Sequence, residues 1–509
     1  MAFESRNDGV NALERIILRL SPRWGASRMR HRLVAETMVR HFEAAQGGRR
    51  TDGWRRNHSD ANAAAWGAIP VLRAHGRDLV RNNGWARNAV RVIPRNTVAS
   101  GLRAKAIGTA DGKAVTDLWR RWAGTTECDA DGRLTFGGLQ ALVLRGVAES
   151  GEMLIRRRRR LSKDGLTIPL QLQVLEPDYI DTNKNLPGSQ SGGPIIQGIE
   201  LDAIGRRVAY WLFNNHPGSN LLMQPVSQRV MASEVLHVYD VERAGQARGV
   251  SWLSAAVLNL KDFDEFEDAE LMKAKIAACL TAFVTDLDGD QGSLGRADTD
   301  SRDGAPLDMI GPGLVQHLRP GQDIRVVTPP SVVEGGFSVR QLRRIAATIG
   351  ITYEDLTGDY SNVNFSSARM ARIAFWGNVL HWRENVLAPQ MLNPAWKWAM
   401  EAAEVAGEIA SSPDGSLPSA EWTPPPMPLL EPDKEGLAYA RMVRSGMMTP
   451  SEAARENGYD WEEFLSEYKG DLSALDAAGI TLDSDARKVS QAGLIQPTPG
   501  AAKAVPAPE

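Results

Sequence analysis

Apolar residues recur every three or four positions between Arg248 and Ala282, and this spacing predicts one long helix. The apolar stripe consists of Leu253, Val257, Leu260, Phe263 and Phe266. After Gly249 and Ser251, neither Gly nor Pro occurs until Gly289, so no residue type in this stretch breaks the helix. At about 1.5 Å per residue, some thirty residues would span roughly 45 Å. Such a helix is typical of a structural strut rather than of a catalytic element.

Before this helix, the pattern predicts helices followed by strands. The predicted elements are a helical, Arg-rich segment over 10–45, a helical pair over Ala61–Val98, strands from Leu102 to about Val241 with a helix around Leu139–Glu149, and hairpins that turn at 162–165 and at Gly205. The mixture of helical and strand-like periods predicts an α+β fold.

After the helix, the pattern predicts a small insert and then mainly helices. The predicted elements are a small α/β or mainly β insert over 283–336, a helix over Phe337–Gly350, a helical run from Ala368 to about Ala410 interrupted at Pro389 and Pro394, and a helical unit over Pro432–Gly470. The segment beyond Asp483 is rich in Pro and small residues, so we expect it to be disordered.

A chain of 509 residues is longer than one hydrophobic core usually organises, so we predict two to four structural units. Charge is distributed unevenly along this chain. The net charge is −3, yet residues 1–110 carry +12 and residues 421–509 carry −7. This asymmetry is compatible with polyanion contact near one end, with head-to-tail attraction between copies, or with two separately solvated surfaces.

Arginine-rich segments leave two interpretations open. Arginines at 73, 77, 81, 87, 91 and 95 recur at about one-turn spacing, which suits a solvated or intersubunit face as well as a DNA site. The run Arg156–Arg160 lies in a predicted strand, where alternate side chains point to opposite faces, so only some of them could share a phosphate.

Sequence signatures of catalysis and metal binding are absent from the chain. It contains no phosphate-binding G-x-x-x-x-G-K-[ST], no H-E-x-x-H, no C-x-x-C and no G-x-S-x-G. The acidic triplet Asp286, Asp288 and Asp290 departs from an EF-hand at the sixth and twelfth positions, so we interpret it as a solvated turn. We therefore expect no enzyme activity, no metal and no cofactor.

Cysteine usage and apolar runs indicate where the protein is made. Cys128 and Cys279 lie far apart in the sequence, which predicts buried free thiols in a reducing compartment. The apolar run at Ile16–Leu18 is too short for a signal peptide or a membrane span. We expect the protein to act in the cytosol or within an assembly built there, without membrane contact.

An ordered set of segments resembles the lambda-type family of tailed-phage portal proteins. The segments are LRAHGRDLVRNNGWARNAV with VASGLRA, GEMLIRR with LEPDYIDT, GIELDAIGRRVAYWLF, EVLHVYDVERAGQARGVSWLSAAVLNLKDFDEFEDAEL, LRPGQDI, and LRRIAATIGITYEDLTGDYSNVNFSSAR. They span roughly residues 40–400 in the family's order, and Pro432–Gly470 resembles the family's helical C-terminal part.

The resemblance implies an α+β subunit of a ring, usually dodecameric, at one capsid vertex. The implied parts are a mixed α/β wing with a basic N-terminal segment (1–250), a first stem helix (251–282), a clip (283–336), a second stem helix (337–357), a tunnel loop (358–367), a long helix and wing return (368–431), a helical crown (432–475) and a disordered tail (476–509).

The same resemblance, joined to the acidic centre of the first stem helix, gives two candidate DNA-facing sites. Six acids lie within nine residues there, and helix geometry lets about half face a channel; we select Asp264, Glu267 and Asp268. A wall with the sign of DNA would let a duplex slide. In the tunnel loop, weak and reversible phosphate contacts are expected from Asp359, Tyr360, Ser361, Asn362 and Asn364.

The implied function is a non-enzymatic conduit for DNA packaging and ejection, located at the virion's portal vertex and in the host cytoplasm during assembly. Its implied partners are its own copies, the terminase large subunit, head–tail joining proteins, a major capsid or scaffold protein, and double-stranded DNA held transiently. Two alternatives stay open from the residues: a metal-dependent phage nucleic-acid-processing enzyme, and a monomeric scaffold or adaptor. The first would need acids beside a basic groove, whereas here the acids concentrate on one helix.

Overall fold

A computed structural model describes residues 58–219, 226–278, 282–285, 315–318, 336–411, 415–426 and 431–482, with isolated positions at 21, 23, 24, 27, 30, 31, 52, 53, 485, 487 and 488. The chain divides into two units, Met1–Asp60 and Ala61–Glu509. In the first unit, positions 23, 24, 27, 30 and 31 are helical, and most of the predicted N-terminal segment lies outside the described residues.

Helices and strands alternate in the first part of the second unit. In chain order they are α1 (Ala61–Ala65), α2 (Ala68–Asn82), α3 (Gly84–Thr97), β1 (Arg103–Ile107), α4 (Gly112–Ala123), α5 (Phe136–Ser150), β2 (Glu152–Arg159), β3 (Leu170–Leu175), β4 (Gly192–Ile196), β5 (Ile199–Asp202), β6 (Arg207–Phe213), β7 (Ser227–Met231) and β8 (Val235–Tyr239). The predicted helical pair and both predicted hairpins, β2–β3 and β5–β6, are present.

Helices dominate the rest of the unit. In chain order the elements are α6 (Val257–Ala278), β9 (Ala282–Thr285), β10 (Val315–Leu318), α7 (Gly336–Ile349), α8 (Tyr353–Thr357), α9 (Phe365–His381), α10 (Asn393–Ala406), β11 (Ser419–Thr423), α11 (Pro432–Arg444), α12 (Pro450–Glu456) and α13 (Trp461–Ala478). The mixed content confirms the α+β class. Over the part of the chain that the structure describes, no helix has the length and apolar character needed to cross a bilayer.

Four small sheets accompany the helices. β3, β2 and β8 form an antiparallel sheet in that order, and β4 to β7 form an antiparallel sheet in sequence order. β9 and β10 pair in parallel, and the rest of the predicted insert over 283–336 lies outside the described residues. β1 pairs with β11 in antiparallel register, so the chain returns to its first strand more than 300 residues later.

The main core forms where α4, α5, α10 and β11 meet, and it is rich in aromatic rings. Trp119 lies 5.1 Å from Trp122, 5.1 Å from Phe136 and 4.9 Å from Trp396 between ring centroids, and Trp422 closes the cluster at 6.0 Å from Trp119. Large aromatic side chains remove much apolar area from water, and tilted or edge-on contacts add about 0.5–1.5 kcal/mol per pair. The cluster thereby ties the C-terminal return to the body of the unit.

The first long helix starts later than the sequence pattern predicts. α6 begins at Val257, not at residue 251, because Ser251 shapes a turn in front of it: its Oγ accepts a hydrogen bond from the Leu253 amide at 3.2 Å. Leu253, Leu260 and Phe263 are buried as expected. The helix ends at Ala278, and residues 279–281 lie outside the described part of the chain.

The predicted second stem helix over 337–357 is two helices. α7 ends at Ile349 because Gly350 adopts a left-handed conformation with φ 83°, a typical helix C-terminus. α8 restarts after Thr352, whose hydroxyl accepts a hydrogen bond from the Asp355 amide at 3.0 Å. The predicted loop over 358–367 is likewise shorter, because α9 begins at Phe365.

The predicted interruptions at Pro389 and Pro394 do not break the helical run. A π-helical segment over Trp382–Leu392 contains Pro389 and joins α9 to α10. Pro394 is the second residue of α10, directly after the π-helical segment, and the backbone stays helical through it. A wider helical turn relieves the clash that proline makes with the preceding turn, so the chain stays helical while changing pitch.

The C-terminal helices α11 to α13 form a small unit with no buried residue. It is joined to the body by exposed or half-exposed ion pairs, such as Lys105 with Asp460 at 3.1 Å and Arg120 with Glu463 at 2.6 Å. α13 extends to Ala478, so the tail predicted to start at 476 begins inside a helix. Beyond it, the described Arg487 lies 3.5 Å from Asp476.

Candidate functional site

The acidic helix α6 presents its carboxylates on more than one face. Of the three acids selected as channel-facing, Asp264 and Glu267 accept hydrogen bonds from the start of α3. Asn83 Nδ2 donates to Asp264 Oδ1 at 3.1 Å, and Trp85 Nε1 donates to Glu267 Oε2 at 2.9 Å. Asp268 is exposed and has no hydrogen bond or ion pair with a described residue. The structure therefore separates the three: two bind the body of the subunit, and one is free to face solvent.

The remaining acids of α6 lie elsewhere on the helix. Asp262 and Glu265 are exposed, and Glu265 pairs with Lys261 one turn earlier at 3.6 Å. Glu270 is half-buried and lies 3.7 Å from Lys273. Exposed pairs of this kind contribute little to stability, about 0.3–0.5 kcal/mol. These acids are thus available for contacts outside the described chain.

The loop after α8 is organised by one of the residues predicted to touch DNA. Asp359 accepts hydrogen bonds from the Ser361 hydroxyl at 2.6 Å, from the Ser361 amide at 3.0 Å and from the Tyr353 hydroxyl at 3.1 Å. The bonds from Ser361, followed by the one from Tyr353, lower the pKa of Asp359 below its usual value of 3.8. Its carboxylate is therefore ionised at neutral pH and shapes the loop.

Asn364, also predicted to contact DNA, caps the following helix instead. Its side-chain oxygen accepts a hydrogen bond from the Ser367 amide at 2.8 Å, and the Ser367 hydroxyl bonds back to the Asn364 backbone. This reciprocal cap fixes the first turn of α9. The residues left to face outward are Tyr360, Ser361 and Asn362, all exposed, and Tyr360 is 63% exposed despite its size.

Helix α3 supports both candidate elements, which sequence reasoning missed. Besides Asn83 and Trp85 at its start, Asn88 donates to the backbone oxygens of Asp355 and Leu356 at 3.0 and 2.7 Å, and so holds the end of α8 just before the loop. The sequence does show that amide and indole hydrogen-bond donors lie among the apolar residues of this helix. Nothing local shows that their acceptors lie 181 and 267 residues away.

A buried ion network lies under the segment that leads into α6. Glu152 is fully buried and accepts hydrogen bonds from Arg73 at 2.9 Å, from Arg248, from the Gly249 amide at 2.9 Å and from His237 Nε2 at 2.9 Å. Burial alone would raise the pKa of Glu152, but Arg248 and His237 outweigh it and lower that pKa well below 4.5. The network joins α2, β2 and β8 to the residues just before α6.

The protonation state of His237 follows from its two neighbours. Arg207 Nη1 lies 3.2 Å from Nδ1, so Nδ1 accepts, while Nε2 carries the proton that is donated to Glu152. Burial lowers the pKa of His237 to about 4; Glu152 opposes this shift, and the charges of Arg207 and Arg248 add to it. His237 is therefore neutral at pH 7 and serves as a structural hydrogen-bond bridge.

One cluster has the residue types of a metal site, but the guanidinium of Arg77 already lies between its carboxylates. Ligand atoms of Glu176, Asp178 and His216 lie within 4.8 Å of one another. Arg77 Nη2 lies between the two carboxylates, 3.1 Å from Glu176 and 2.6 Å from Asp178. Burial would raise the pKa of Asp178, but Arg77 and Arg73 lower it. The cluster is a structural ion-pair group, so it supports neither a metal centre nor acid–base catalysis.

The arginine run of β2 also contacts protein groups. Arg157 pairs with Glu401 at 2.7 Å and lies over the Trp398 ring, and Arg159 pairs with Glu234 at 2.6 Å. The side chains of Arg158 and Arg160 donate hydrogen bonds to Gln173 and Gln171 of the neighbouring strand β3. These contacts favour the structural interpretation of the run over polyanion binding. The acidic triplet at 286–290 and Cys279 lie outside the described residues, while Cys128 is a buried free thiol.

Comparisons with known proteins identify the family. The family model described as "Phage portal protein, lambda family" matches residues 47–383. The probable portal protein of Halomonas phage phiHAP-1 is 27% identical over 473 residues, which cover 87% of this chain and 88% of the relative. Portal protein B of Escherichia phage lambda is 22% identical over 519 residues, covering 91% of this chain and 95% of the relative.

Among solved structures, a chain from the neck of an empty gene transfer agent particle matches with a TM-score of 0.43 and 17% identity, covering 78% of this chain and 97% of that chain. A chain from the virion of a native gene transfer agent particle matches with a TM-score of 0.40 and 16% identity, over 77% and 94% of the two chains. The family match extends over more than half of the sequence and includes α2 to α9. The chain therefore belongs to the lambda family of phage portal proteins.

Proposed function

We propose that this portal protein assembles into a dodecameric ring at one capsid vertex, around a channel through which DNA enters during packaging and leaves during ejection. The observation that carries the proposal is α6, a 22-residue helix with six acids and three lysines on a chain of the portal family. Each added copy would bring the acids on the channel side of this helix to the wall. A wall of the same sign as the duplex binds no phosphates by counterion release and therefore lets DNA move.

Within this ring, the exposed Asp268 and Asp264 would line the channel, with Glu267 fixing the helix to α3. The outward residues of the loop, Tyr360, Ser361 and Asn362, would touch the passing backbone through hydroxyl, amide and ring contacts. Such contacts are weak and carry no sequence information. The supporting geometry is the anchoring of this loop by Asp359 and by the contacts of Asn88 with the end of α8.

The remaining parts receive roles by their place in the chain. Residues 1–250 would form most of the wing against capsid or scaffold protein, α6 and α7 the stem, and residues 283–336 a clip that docks the terminase and later the head–tail joining proteins. Residues 365–431 would form the long helix and wing return, and α11 to α13 the crown. The crown assignment is supported by their ion-paired, unburied attachment, which leaves these helices free for neighbouring copies.

We further propose that the chain is not an enzyme and needs no cofactor. The polar clusters described above are occupied by arginines or by helix caps, as in the Glu176, Asp178 and Arg77 group. The energy for DNA movement would then come from a partner that binds and hydrolyses nucleotide.

Electron microscopy and native mass measurement of the purified chain test the ring. We expect closed rings of about twelve copies with a central hole; a protein that stays monomeric at every concentration and salt would refute the proposal. For the channel wall, Asp268→Lys rings should retain linear duplex DNA to higher salt than wild-type rings. Asp131→Lys, at an exposed acid in a turn between α4 and α5, is the matched control and should behave as wild type. If both variants retain DNA equally, the proposal that Asp268 lines the channel is refuted.

A further inference from the structure

An exposed stripe runs along the outer face of α6. Its residues are spaced by four and three positions, as on one side of a helix, and all are exposed: Leu258, Asp262, Glu265, Ala269 and Met272. Leu258 is 73% exposed and Met272 57% exposed. Two apolar residues thus flank an acidic centre and one small residue, on the side opposite the buried Leu260 and Phe263.

A second stripe with complementary properties runs along α9. It consists of Met370, Ile373, Gly377 and Leu380, all exposed and spaced by three and four positions, with the exposed Arg369 beside it. A Cβ added at Gly377 would meet nothing within 4 Å, so this position is open to a close approach from outside. Apolar residues, a small residue and a cation therefore share one face.

The two stripes carry opposite charge that the subunit neutralises only in part: Glu265 pairs with Lys261 at 3.6 Å, and the other charged groups of the stripes have no described ion-pair partner. α9 and α7 contain arginines and no acids. Arg340, Arg344 and Arg369 are exposed, and none of them forms an ion pair with a described residue. On α6, the exposed Asp262 likewise has no described partner. The α6 face is acidic and the α9 face is basic. This complementarity favours a contact between the α6 face of one copy and the α9 face of another.

The fold keeps one chain from joining its own stripes. α6 packs on α2 and α7, where Phe266 lies 5.0 Å from Phe337 between ring centroids. α9 packs instead on α3 and on the π-helical segment Trp382–Leu392. Both stripes lie on the sides turned away from these contacts, so no described element of the same chain covers either stripe.

We propose that the stripe of α6 binds the stripe of α9 of the next copy in the ring, with Asp262 and Glu265 facing Arg369. This inference rests on the proposed ring and names the surfaces that close it. Because two different surfaces meet, the contact is heterologous and repeats from copy to copy, as a cyclic ring requires. Ala269 and Gly377 allow the two helices to cross closely, and the helices are about 33 and 25 Å long, enough for several turns of contact.

Two variants and their mixture test the pairing. The α6 variant carries Asp262→Lys with Glu265→Lys; the α9 variant carries Arg369→Glu with Met370→Glu. All four positions are exposed, so each variant should keep the helix content of the wild type by circular dichroism. We expect each variant alone to need at least tenfold higher concentration for half-assembly at low salt, with a smaller difference as salt screens the charges. Glu270→Lys, off the stripe on the same helix, should assemble as wild type.

The mixture gives the sharper result. An equimolar mixture can form two kinds of contact: the two native stripes can bind each other, and the two substituted stripes attract with reversed signs, since lysines then face glutamates. We expect the mixture to form mixed rings at a lower concentration than either variant alone, by native mass measurement. Rings from either variant alone at the concentration that assembles the wild type would overturn the pairing while leaving the ring itself intact, and a mixture that stays monomeric would overturn it as well. Wild-type protein that never forms rings would instead refute the proposed function.

Discussion

Replacing Glu152 with glutamine tests whether the buried ion network holds the segment that leads into α6. In the wild type, the carboxylate accepts hydrogen bonds from Arg73, Arg248, His237 and the Gly249 amide, each at 2.9 Å. Glutamine keeps nearly the same shape but carries no charge. Its amide nitrogen is also a donor, and it would face other donors. The substitution therefore removes the charge with little change of volume.

The expected loss of stability on Glu152→Gln depends on how completely the partners of Glu152 are buried. Arg248 is 1% exposed, and removal of one member of a buried pair costs roughly 3–5 kcal/mol. Arg73 keeps a second carboxylate, Asp178 at 3.4 Å, so the cost falls mainly on Arg248. Glutamine retains one acceptor oxygen, which places the expected loss near the lower bound, about 3 kcal/mol. At about 1.4 kcal/mol per factor of ten, local opening should become more than 100-fold more frequent.

Hydrogen–deuterium exchange on the full chain is the suitable assay. A long chain that forms an oligomer does not unfold in two states, whereas exchange reports the opening of individual segments. We expect faster exchange in peptides that cover 241–253, which include the Gly249 amide. Glu234→Gln is the control, because its partner Arg159 is mostly exposed and such a pair contributes less than about 1 kcal/mol. Exchange in 241–253 that equals the control would refute the reasoning.

Three further predictions concern other buried groups. His237 has a folded pKa of about 4 against 6.5, so the unfolded chain binds more protons as pH falls from 6.5 to 4; the melting temperature of the wild type should fall over this range, and that of His237→Gln should fall less. Gly249→Ala would place a Cβ 2.1 Å from the Gly151 oxygen and should strongly lower the melting temperature, whereas Gly436→Ala, with open space in α11, should slightly raise it. Burial raises the pKa of Cys128 to about 12, so its thiol should resist maleimide at pH 8 until denaturant is added, as peptide mapping would show.

Local patterns predicted the elements whose cause is local. The hairpin of β2 and β3 followed from alternating residues around a turn, and the buried face of α6 followed from the spacing of Leu260 and Phe263. The cap at Asn364 could also have been predicted, since an asparagine three residues before Ser367 at the start of a helical run is a capping pattern. The interruption predicted at Pro389 is wrong because a wide helical turn accommodates proline without ending the helix.

Contacts between distant segments could not be predicted in the same way. The partners of Glu152 come from α2, β8 and the turn before α6, up to 97 residues away. A single sequence shows that Arg73 and Arg248 are cations, but not that both are buried on one carboxylate. For the same reason the arginine stripe of α2 and α3 was seen as one surface, although Arg73 is buried and Arg77 pairs with Asp178.

The acids of α6 illustrate why a charge count alone does not assign a function. One helix presents three environments: Asp264 and Glu267 bind donors of α3, Asp268 is free, and Asp262 and Glu265 lie on the outer stripe. Neutralising all of them together would loosen the subunit, weaken contact between copies and change the channel wall at once. Because helix geometry separates these faces, single-face substitutions can assign each effect to one surface.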